Sequence, residues 1–215
     1  ACLLTVGFGP SGRLHLRTDI VNRMREHMPY YNEKIETLPR DQLAQLQLEK
    51  LQAMMKALWG KNKFYTHKWE AAGVTPDDLQ SLDDIAKLPI TTKSELVKDQ
   101  ADNAPFGTNL TYSIDKYVRF HQTSGTTGKP LKVLDTDESW DWWGECWAYV
   151  LAGAGVTADD RVFLAFAFGP FVGFWAAVEG ARKLGAIMIP GGGRDSVQRL
   201  ELLKEMGATS LACTP

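Results

Sequence analysis

The chain has 215 residues and a formal net charge of −2, with 44% of its residues hydrophobic and 23% charged. This composition is typical of an ordinary globular protein, and the length is enough for one domain or one and a half. Because the charge is nearly balanced and no run of five basic residues occurs, nothing in the composition favours nucleic acid or an anionic membrane as a partner.

The spacing of cysteine and histidine excludes the common short metal and disulfide patterns. Cys2, Cys146 and Cys213 are far apart and odd in number, which fits a reducing compartment better than a disulfide framework. The four histidines form none of the short zinc-binding spacings, so no metal ligand is predicted. No apolar stretch reaches the roughly 18 residues of a membrane-spanning helix. With no convincing signal peptide at the start, the expected location is the cytoplasm.

The first half of the chain divides into two predicted regions. Residues 1–27 lack clear periodicity, apart from a short helical piece expected around 20–28. We expect them to be disordered or packed against a neighbouring molecule, with a homodimer left open. Residues 28–110 are predicted to be mainly helical, because apolar residues recur with a helical period after Asp41. Thr92, with Glu95 three residues later, forms a capping box that predicts the start of another helix.

After position 110 the pattern changes to strands that alternate with helices. Two alternating runs predict strands on either side of a polar loop, at 116–122 and 131–135. Three further apolar runs alternate with helical segments, at 162–167, 186–189 and 210–214. We therefore predict an α/β fold, a helical amino-terminal region followed by the first part of a parallel α/β sheet domain over 111–215. The last strand ends the sequence without a turn, which indicates that this domain is incomplete.

The polar loop, HQTSGTTGKP at 121–130, concentrates groups that bind phosphate. Glycines at two positions allow positive φ and a close approach of the backbone to an anion, and successive N–H groups in such a turn can hold it. Small hydroxyl groups and one cation lie beside them. The predicted nucleotide-binding residues are Thr123, Ser124, Gly125, Thr126, Thr127, Gly128 and Lys129.

Three other interpretations of the glycine-rich runs are weaker. A plain β-turn needs only some of these features, whereas this loop carries all of them within eight residues. A Walker A loop would need glycine at position 123 and a helix after the lysine, but this chain has Thr123, and Pro130 is followed by a strand pattern. The run at 153–158 matches a dinucleotide fingerprint but follows a helix rather than a strand.

The stretch TSGTTGKP at 123–130 resembles the phosphate-binding signature of the adenylate-forming (acyl-CoA synthetase) superfamily, whose core is an AMP-binding domain. Four other stretches narrow the resemblance to the amino-terminal part of the phenylacetate–CoA ligase family, at 28–55, 72–96, 168–193 and 202–215. The resemblance covers residues 28–215 almost without a gap, and residues 1–27 lie outside it.

The resemblance implies a two-step ligase reaction. A carboxylic acid, expected to be aromatic and phenylacetate-like, attacks the α-phosphate of ATP, and coenzyme A then displaces AMP. The loop is expected to embrace the β- and γ-phosphates with Mg²⁺ sharing their charge, and Lys129 is the expected catalytic residue. The resemblance also places Phe168, Gly169 and Phe171 beside the acyl pocket, where an apolar wall suits an aryl acid.

Family groups for adenine, ribose, metal and the final catalytic lysine lie later than Pro215. The resemblance therefore implies a fragment with half of an active site, inactive alone. Two alternatives stay open: an adenylating enzyme with another acceptor, such as an amine or a carrier-protein thiol, and a non-catalytic nucleotide- or acid-binding module that kept the loop. The helical spacing of Trp140, Trp143 and Trp147 predicts a core stripe rather than a ligand cage, and a structural role is expected for His121.

Overall fold

The fold consists of two compact units that we describe separately. The computed structural model describes residues 2–8, 14–16, 30–125 and 128–213. Contacts within the chain define one unit over residues 34–137, which we call the helical unit. Residues 1–33 and 138–215 form the other, which we call the sheet unit. The predicted division into 28–110 and 111–215 follows the change of sequence pattern near position 110 rather than contacts, and it stays a prediction.

The described residues of the first part of the chain form four α-helices, two of which contribute to a small buried core. They are α1 (Glu33–Glu36), α2 (Arg40–Leu58), α3 (Lys63–Ala71) and α4 (Lys93–Asp102), with short 3-10 turns at Pro76–Asp78, Leu82–Lys87 and Ile114–Lys116. Met55, Trp69 and Leu79 are fully or almost fully buried together. The predicted capping box starts α4, since the hydroxyl of Thr92 accepts from the Glu95 N–H and the Glu95 carboxylate accepts from the Thr92 N–H.

The helical unit ends in a two-stranded antiparallel hairpin, which carries the polar loop. Strand β3 (Tyr117–Gln122) pairs with β4 (Lys132–Thr136), and Gln122 lies opposite Lys132 at the last pair before the loop. The predicted strand–loop–strand arrangement of this segment is therefore confirmed.

The sheet unit contains a five-stranded sheet of order β2-β1-β7-β5-β6. Its parallel part consists of β5 (Arg161–Leu164), β6 (Ile187–Pro190) and β7 (Ser210–Cys213), with β5 in the middle. The helices are α5 (Asp137–Gly153), α6 (Val172–Leu184) and α7 (Ser196–Glu205). The predicted α/β fold, a helical amino-terminal region followed by a parallel sheet, is confirmed.

Two antiparallel strands extend the parallel part of the sheet. Strand β1 (Cys2–Phe8) pairs with β7, and β2 (Leu14–Leu16) pairs with β1. Residues 1–27 were expected to be disordered or packed against a neighbouring molecule, whereas these two described strands pair within the chain, because β7 offers backbone groups on its outer edge. The helix predicted near residues 20–28 lies outside the described residues.

Helices α5 and α6 pack closely against each other. Gly180 approaches the backbone of α5 so closely that a Cβ atom there would lie 2.5 Å from the Cβ of Trp147. The predicted tryptophan stripe is only partly in the core, because Trp140 is buried whereas Trp143 is 40% exposed. Among the described residues, no helix has both the length and the apolar composition needed to cross a membrane.

Candidate functional site

The hairpin holds both ends of the polar loop by backbone pairing that continues past the strands. The Thr123 N–H donates to the Leu131 carbonyl at 3.0 Å. The Leu131 N–H donates to the hydroxyl oxygen of Thr123, also at 3.0 Å. Thr123 was predicted to bind phosphate, and here its hydroxyl also closes the neck of the loop, although its proton is still available to another acceptor.

Within the loop, two glycines adopt backbone conformations that other residues rarely take. Gly125 has φ of 69° and Gly128 has φ of 142°, and the Gly128 N–H donates to the Gly125 carbonyl at 2.9 Å. A Cβ atom on Gly125 would lie 2.9 Å from Cγ of Pro130. The sequence-based prediction that glycines allow positive φ here is therefore confirmed in geometry, while phosphate binding stays a prediction.

Two of the described polar side chains of the loop face solvent. Ser124 and Lys129 are both exposed, so a hydroxyl group and an ammonium group stand beside the tight turn. Thr126 and Thr127 were also predicted to bind phosphate, but they lie outside the described residues. A turn with a positive charge and a small donor at its rim has the chemistry to hold an anion.

Gln100 fixes the position where the loop enters β4, and the sequence pattern does not indicate this role. Its Nε2 donates to the Lys132 carbonyl at 2.6 Å, and the Lys132 N–H donates to its Oε1 at 3.0 Å. The ammonium group of Lys132 also donates to the Pro105 carbonyl at 3.3 Å. No local pattern predicts such a contact, because the two partners are 32 residues apart in sequence.

A buried pair of ionisable residues lies in the hairpin below the loop. His121 and Asp135 are only 4% and 6% exposed, and Nε2 of the histidine is 3.6 Å from Oδ2 of the aspartate. Burial lowers the pKa of His121 below its ordinary value of 6.5, although the charge of Asp135 acts in the opposite direction. The structural role expected for His121 agrees with this position, two residues before Thr123.

In the sheet unit, the segment after β5 forms an aromatic cluster that contains the predicted acyl-pocket residues. The ring of Phe168 lies 4.8 Å from that of Trp175, whose Nε1 donates to the Gly169 carbonyl at 2.8 Å. The ring of Phe171 lies 5.1 Å from that of Phe174 and is 44% exposed. The structure therefore brings the three predicted residues into one apolar cluster, to which Trp175 is an addition that the sequence did not single out.

Metal ligands are not evident in the part of the chain that the structure describes. Over these residues, no group of three or more histidine, cysteine, aspartate or glutamate side chains is arranged to hold a metal ion. The sequence of the loop over 123–130 offers hydroxyl groups and one cation and contains no carboxylate.

Comparison with known proteins gives a consistent result. No protein-family model matches the chain. It is 36% identical over 183 residues to the phenylacetate-coenzyme A ligase of Escherichia coli K12, covering 85% of this chain and 41% of that protein. It is 31% identical over 185 residues to the phenylacetate-coenzyme A ligase of Thermus thermophilus, covering 86% of this chain and 40% of that protein.

Solved structures agree with the sequence comparison. A 2-hydroxyisobutyryl-CoA ligase in complex with 2-HIB-AMP and CoA superimposes with a TM-score of 0.75 at 31% identity, covering 82% of this chain and 37% of that chain. The same ligase in its postadenylation state gives a TM-score of 0.76 at 29% identity. The chain spans about two fifths of the length of the relatives it matches. Over that part it is a homologue of the phenylacetate–CoA ligases, related in fold to the acyl-CoA ligases of the adenylate-forming superfamily.

Proposed function

We propose that this chain provides the phosphate-binding and part of the acid-binding machinery of an AMP-forming acid–thiol ligase. A carboxylate oxygen of the acid attacks the α-phosphorus of ATP, forming an acyl-adenylate as pyrophosphate leaves. The thiol sulfur of coenzyme A then attacks the acyl carbonyl carbon, the thiol proton is released, and AMP leaves with the electron pair of the broken C–O bond. Similarity to phenylacetate–CoA ligases supports the thiol acceptor and an aromatic acid.

The polar loop on the hairpin is the observation that carries this proposal. Its ends are closed by the contacts between Thr123 and Leu131, and its tip turns through two glycines at positive φ. Ser124 and Lys129 are exposed at this turn and are proposed to contact the β- and γ-phosphates. A loop whose ends are fixed by hydrogen bonds, with a small hydroxyl donor and one ammonium group exposed beside the turn, suits a flexible polyphosphate. Such a ligand is held by several weak donors and one charge.

The remaining parts of the proposal rest on the resemblance and on composition. Mg²⁺ is proposed to share the charge of the phosphates, and the aromatic cluster around Phe168 is proposed to form one wall of the acid pocket.

A cytoplasmic location is proposed because cysteine usage fits a reducing compartment. A role in the catabolism of phenylacetate-like acids follows if the acid is aromatic. Partners are proposed to be the acid, ATP and coenzyme A, without nucleic acid or membrane, and a homodimer stays open.

The test uses the full-length protein that carries this chain. Exchange of labelled pyrophosphate into ATP is measured with a panel of aryl and alkyl acids, followed by AMP release on addition of coenzyme A. We expect exchange that depends on an aryl acid and AMP release that depends on coenzyme A. Exchange followed by release only with an amine or a carrier-protein thiol would instead support a different acceptor.

A second measurement separates catalysis from simple binding. If ATP or an acid binds but no acid promotes pyrophosphate exchange, the protein is a non-catalytic binding module rather than a ligase. The 215-residue chain alone is expected to bind ATP weakly and to give no exchange, because it spans only about two fifths of its relatives. Robust exchange by the 215-residue chain would contradict this expectation.

A further inference from the structure

Arg199 connects the ends of two parallel strands in the sheet unit. Its Nε donates to the carbonyl of Gly191 at 2.9 Å, and its Nη1 is 3.3 Å from the carbonyl of Ala165. Gly191 is the first residue after β6, and Ala165 is the first residue after β5. One side chain from α7 therefore contacts both loops that leave the carboxyl edge of the parallel sheet, the edge where open α/β sheets bind their ligands.

The two loops that Arg199 contacts also pack against each other. The Gly191 N–H donates to the Leu164 carbonyl at 2.8 Å, and a Cβ atom on Gly191 would lie 2.7 Å from that carbonyl oxygen. A Cβ atom on Gly192 would lie 3.3 Å from the Phe166 carbonyl oxygen and 3.5 Å from the ring of Phe168. Gly192 therefore lies beside the backbone and the ring of the segment after β5, so the position of one loop limits the position of the other.

We propose that Arg199 is a positioning residue that sets the shape of the acid pocket by holding these two loops together. The inference rests on the proposed function, because it takes Phe168 and its neighbours as a wall of that pocket. A guanidinium group is suited to this role, since its rigid fork of donors can satisfy two carbonyl groups in different directions at once. Arg199 itself does not contact the acid in this proposal, and it acts through the backbone.

The opposite edge of the sheet offers a matched control. Arg161, at the amino end of β5, donates from Nε to the Gly207 carbonyl at 2.7 Å, so it also joins a strand to the loop after α7. Both arginines are partly buried and each donates through Nε to a loop carbonyl. A general loss of stability would affect Arg161→Gln and Arg199→Gln alike, whereas only Arg199 touches the loops beside Phe168.

The experiment compares Arg199→Gln and Arg161→Gln in the full-length protein by acid-dependent pyrophosphate exchange. We expect Arg199→Gln to raise the KM for the acid about tenfold, to change the order of preference among aryl acids, and to leave the KM for ATP within about twofold. Arg161→Gln is expected to leave both KM values near those of the wild type. Equal effects of the two substitutions on the KM for the acid would overturn the proposal.

Two further measurements keep the test decisive. Hydrogen exchange of backbone amides is expected to rise at 165–169 and 191–193 in Arg199→Gln but not in Arg161→Gln, and unchanged exchange there would overturn the proposed connection whatever the enzymatic result. If Arg199→Gln does not fold, Gly192→Ala replaces it, because its added methyl group would lie only 3.3 Å from the Phe166 carbonyl oxygen, beside the ring of Phe168, and should shift acid preference in the same assay. Hydrogen exchange in these loops could rise in Arg199→Gln while the wild-type protein shows no acid-dependent pyrophosphate exchange. That result would contradict the proposed function and the pocket assignment, but not the connection between the loops.

Discussion

The side chain of Gln100 pairs with the backbone of Lys132 as a neighbouring strand would. It donates to the carbonyl at 2.6 Å and accepts from the N–H at 3.0 Å. A residue of helix α4 therefore satisfies the outer edge of β4 at the point where the polar loop ends. The base of the loop is therefore held on one side by the hydroxyl of Thr123 and on the other side by the amide of Gln100.

Loss of this contact should loosen the base of the loop. We expect Gln100→Ala to lower the free energy of unfolding by about 1 kcal/mol, because one side chain supplies two hydrogen bonds in a partly exposed place. The KM for ATP should rise in the full-length protein. The measurements are urea unfolding and ATP-dependent turnover, with Gln45→Ala as the control, since the side chain of Gln45 donates to the exposed Glu49 one helical turn away. An unchanged KM for ATP in Gln100→Ala would show that the base of the loop does not limit nucleotide binding.

Lys129 is expected to act on phosphate through its charge. A charge-assisted hydrogen bond contributes about 1.5–3 kcal/mol, so Lys129→Ala should lower ATP-dependent turnover about 10- to 150-fold. Unfolding should be unaffected, because the side chain is exposed. Lys116→Ala is the control, since Lys116 is an exposed lysine before β3 and outside the loop. Turnover that is equal in the two variants would remove Lys129 from the mechanism.

Gly125 should tolerate no side chain. Its φ of 69° disfavours alanine, and the added Cβ atom would lie 2.9 Å from Pro130. We expect Gly125→Ala to weaken ATP binding, measured by calorimetry on the full-length protein. Gly60→Ala is the control, because Gly60 has a similar φ of 73° but nothing within 4 Å of the added atom. Both substitutions place a side chain at positive φ, so they should lower the free energy of unfolding by similar amounts, whereas only Gly125→Ala should lower the affinity for ATP. Equal affinity in the two would show that the loop adapts to the clash.

His121 should make the stability of the protein depend on pH. Burial is the main cause that lowers the pKa of His121 in the folded chain, and the positive charge of Arg119 adds to it. The unfolded chain therefore takes up this proton at a higher pH than the folded chain. The stabilising contribution of neutral His121 is fully present above about pH 6.5 and is lost as the pH falls toward the folded-state pKa.

The measurement is urea unfolding between pH 8 and pH 5 for the wild type and His121→Gln. We expect the fall in stability below about pH 6.5 to be smaller in His121→Gln. His67→Gln, at an exposed position, serves as the control and should keep the fall seen in the wild type. A steeper fall in His121→Gln would mean that the folded chain binds this proton more readily than the unfolded chain, which is the opposite sign.

Two glycines of α5 and α6 should respond oppositely to the same substitution. Gly180→Ala would place a methyl group 2.5 Å from the Cβ of Trp147, so we expect it to lower stability by about 1–3 kcal/mol through overpacking. Gly153, at the end of α5, has nothing within 4 Å of an added Cβ atom. Gly153→Ala should raise stability by about 0.5–1 kcal/mol, because alanine favours the helix. Thermal unfolding of both variants checks the signs, and a stable Gly180→Ala would show that the helices separate easily.

Local patterns predicted the elements well because each depends on residues close in sequence. The capping box at Thr92 marks a helix start that the structure confirms. The strand β5 was recognisable because Val162, Phe163 and Leu164 are consecutive apolar residues, and the structure buries all three. These features need no knowledge of what lies opposite, so a single sequence contains them.

Contacts between distant residues could not be predicted in the same way. Helical spacing placed Trp143 in the core, but the width of the buried stripe depends on how closely the next helix approaches. Gln100 and Arg199 act through backbone carbonyl groups, which every residue has and which therefore leave no pattern in the sequence. The residues of the loop could be predicted from the family resemblance, whereas the residues that hold its base are apparent only from the three-dimensional structure.

The pairing of β1 with β7 joins two segments that are far apart along the chain, and it therefore has a consequence for the order of folding. Closing so long a loop is entropically unfavourable, and contacts of this kind form slowly. During synthesis, residues 2–8 must wait until β7 has been made, whereas β5 and β6 can already pair. Until β1 pairs with it, β7 exposes an unpaired strand edge, which is the kind of surface through which folding intermediates associate.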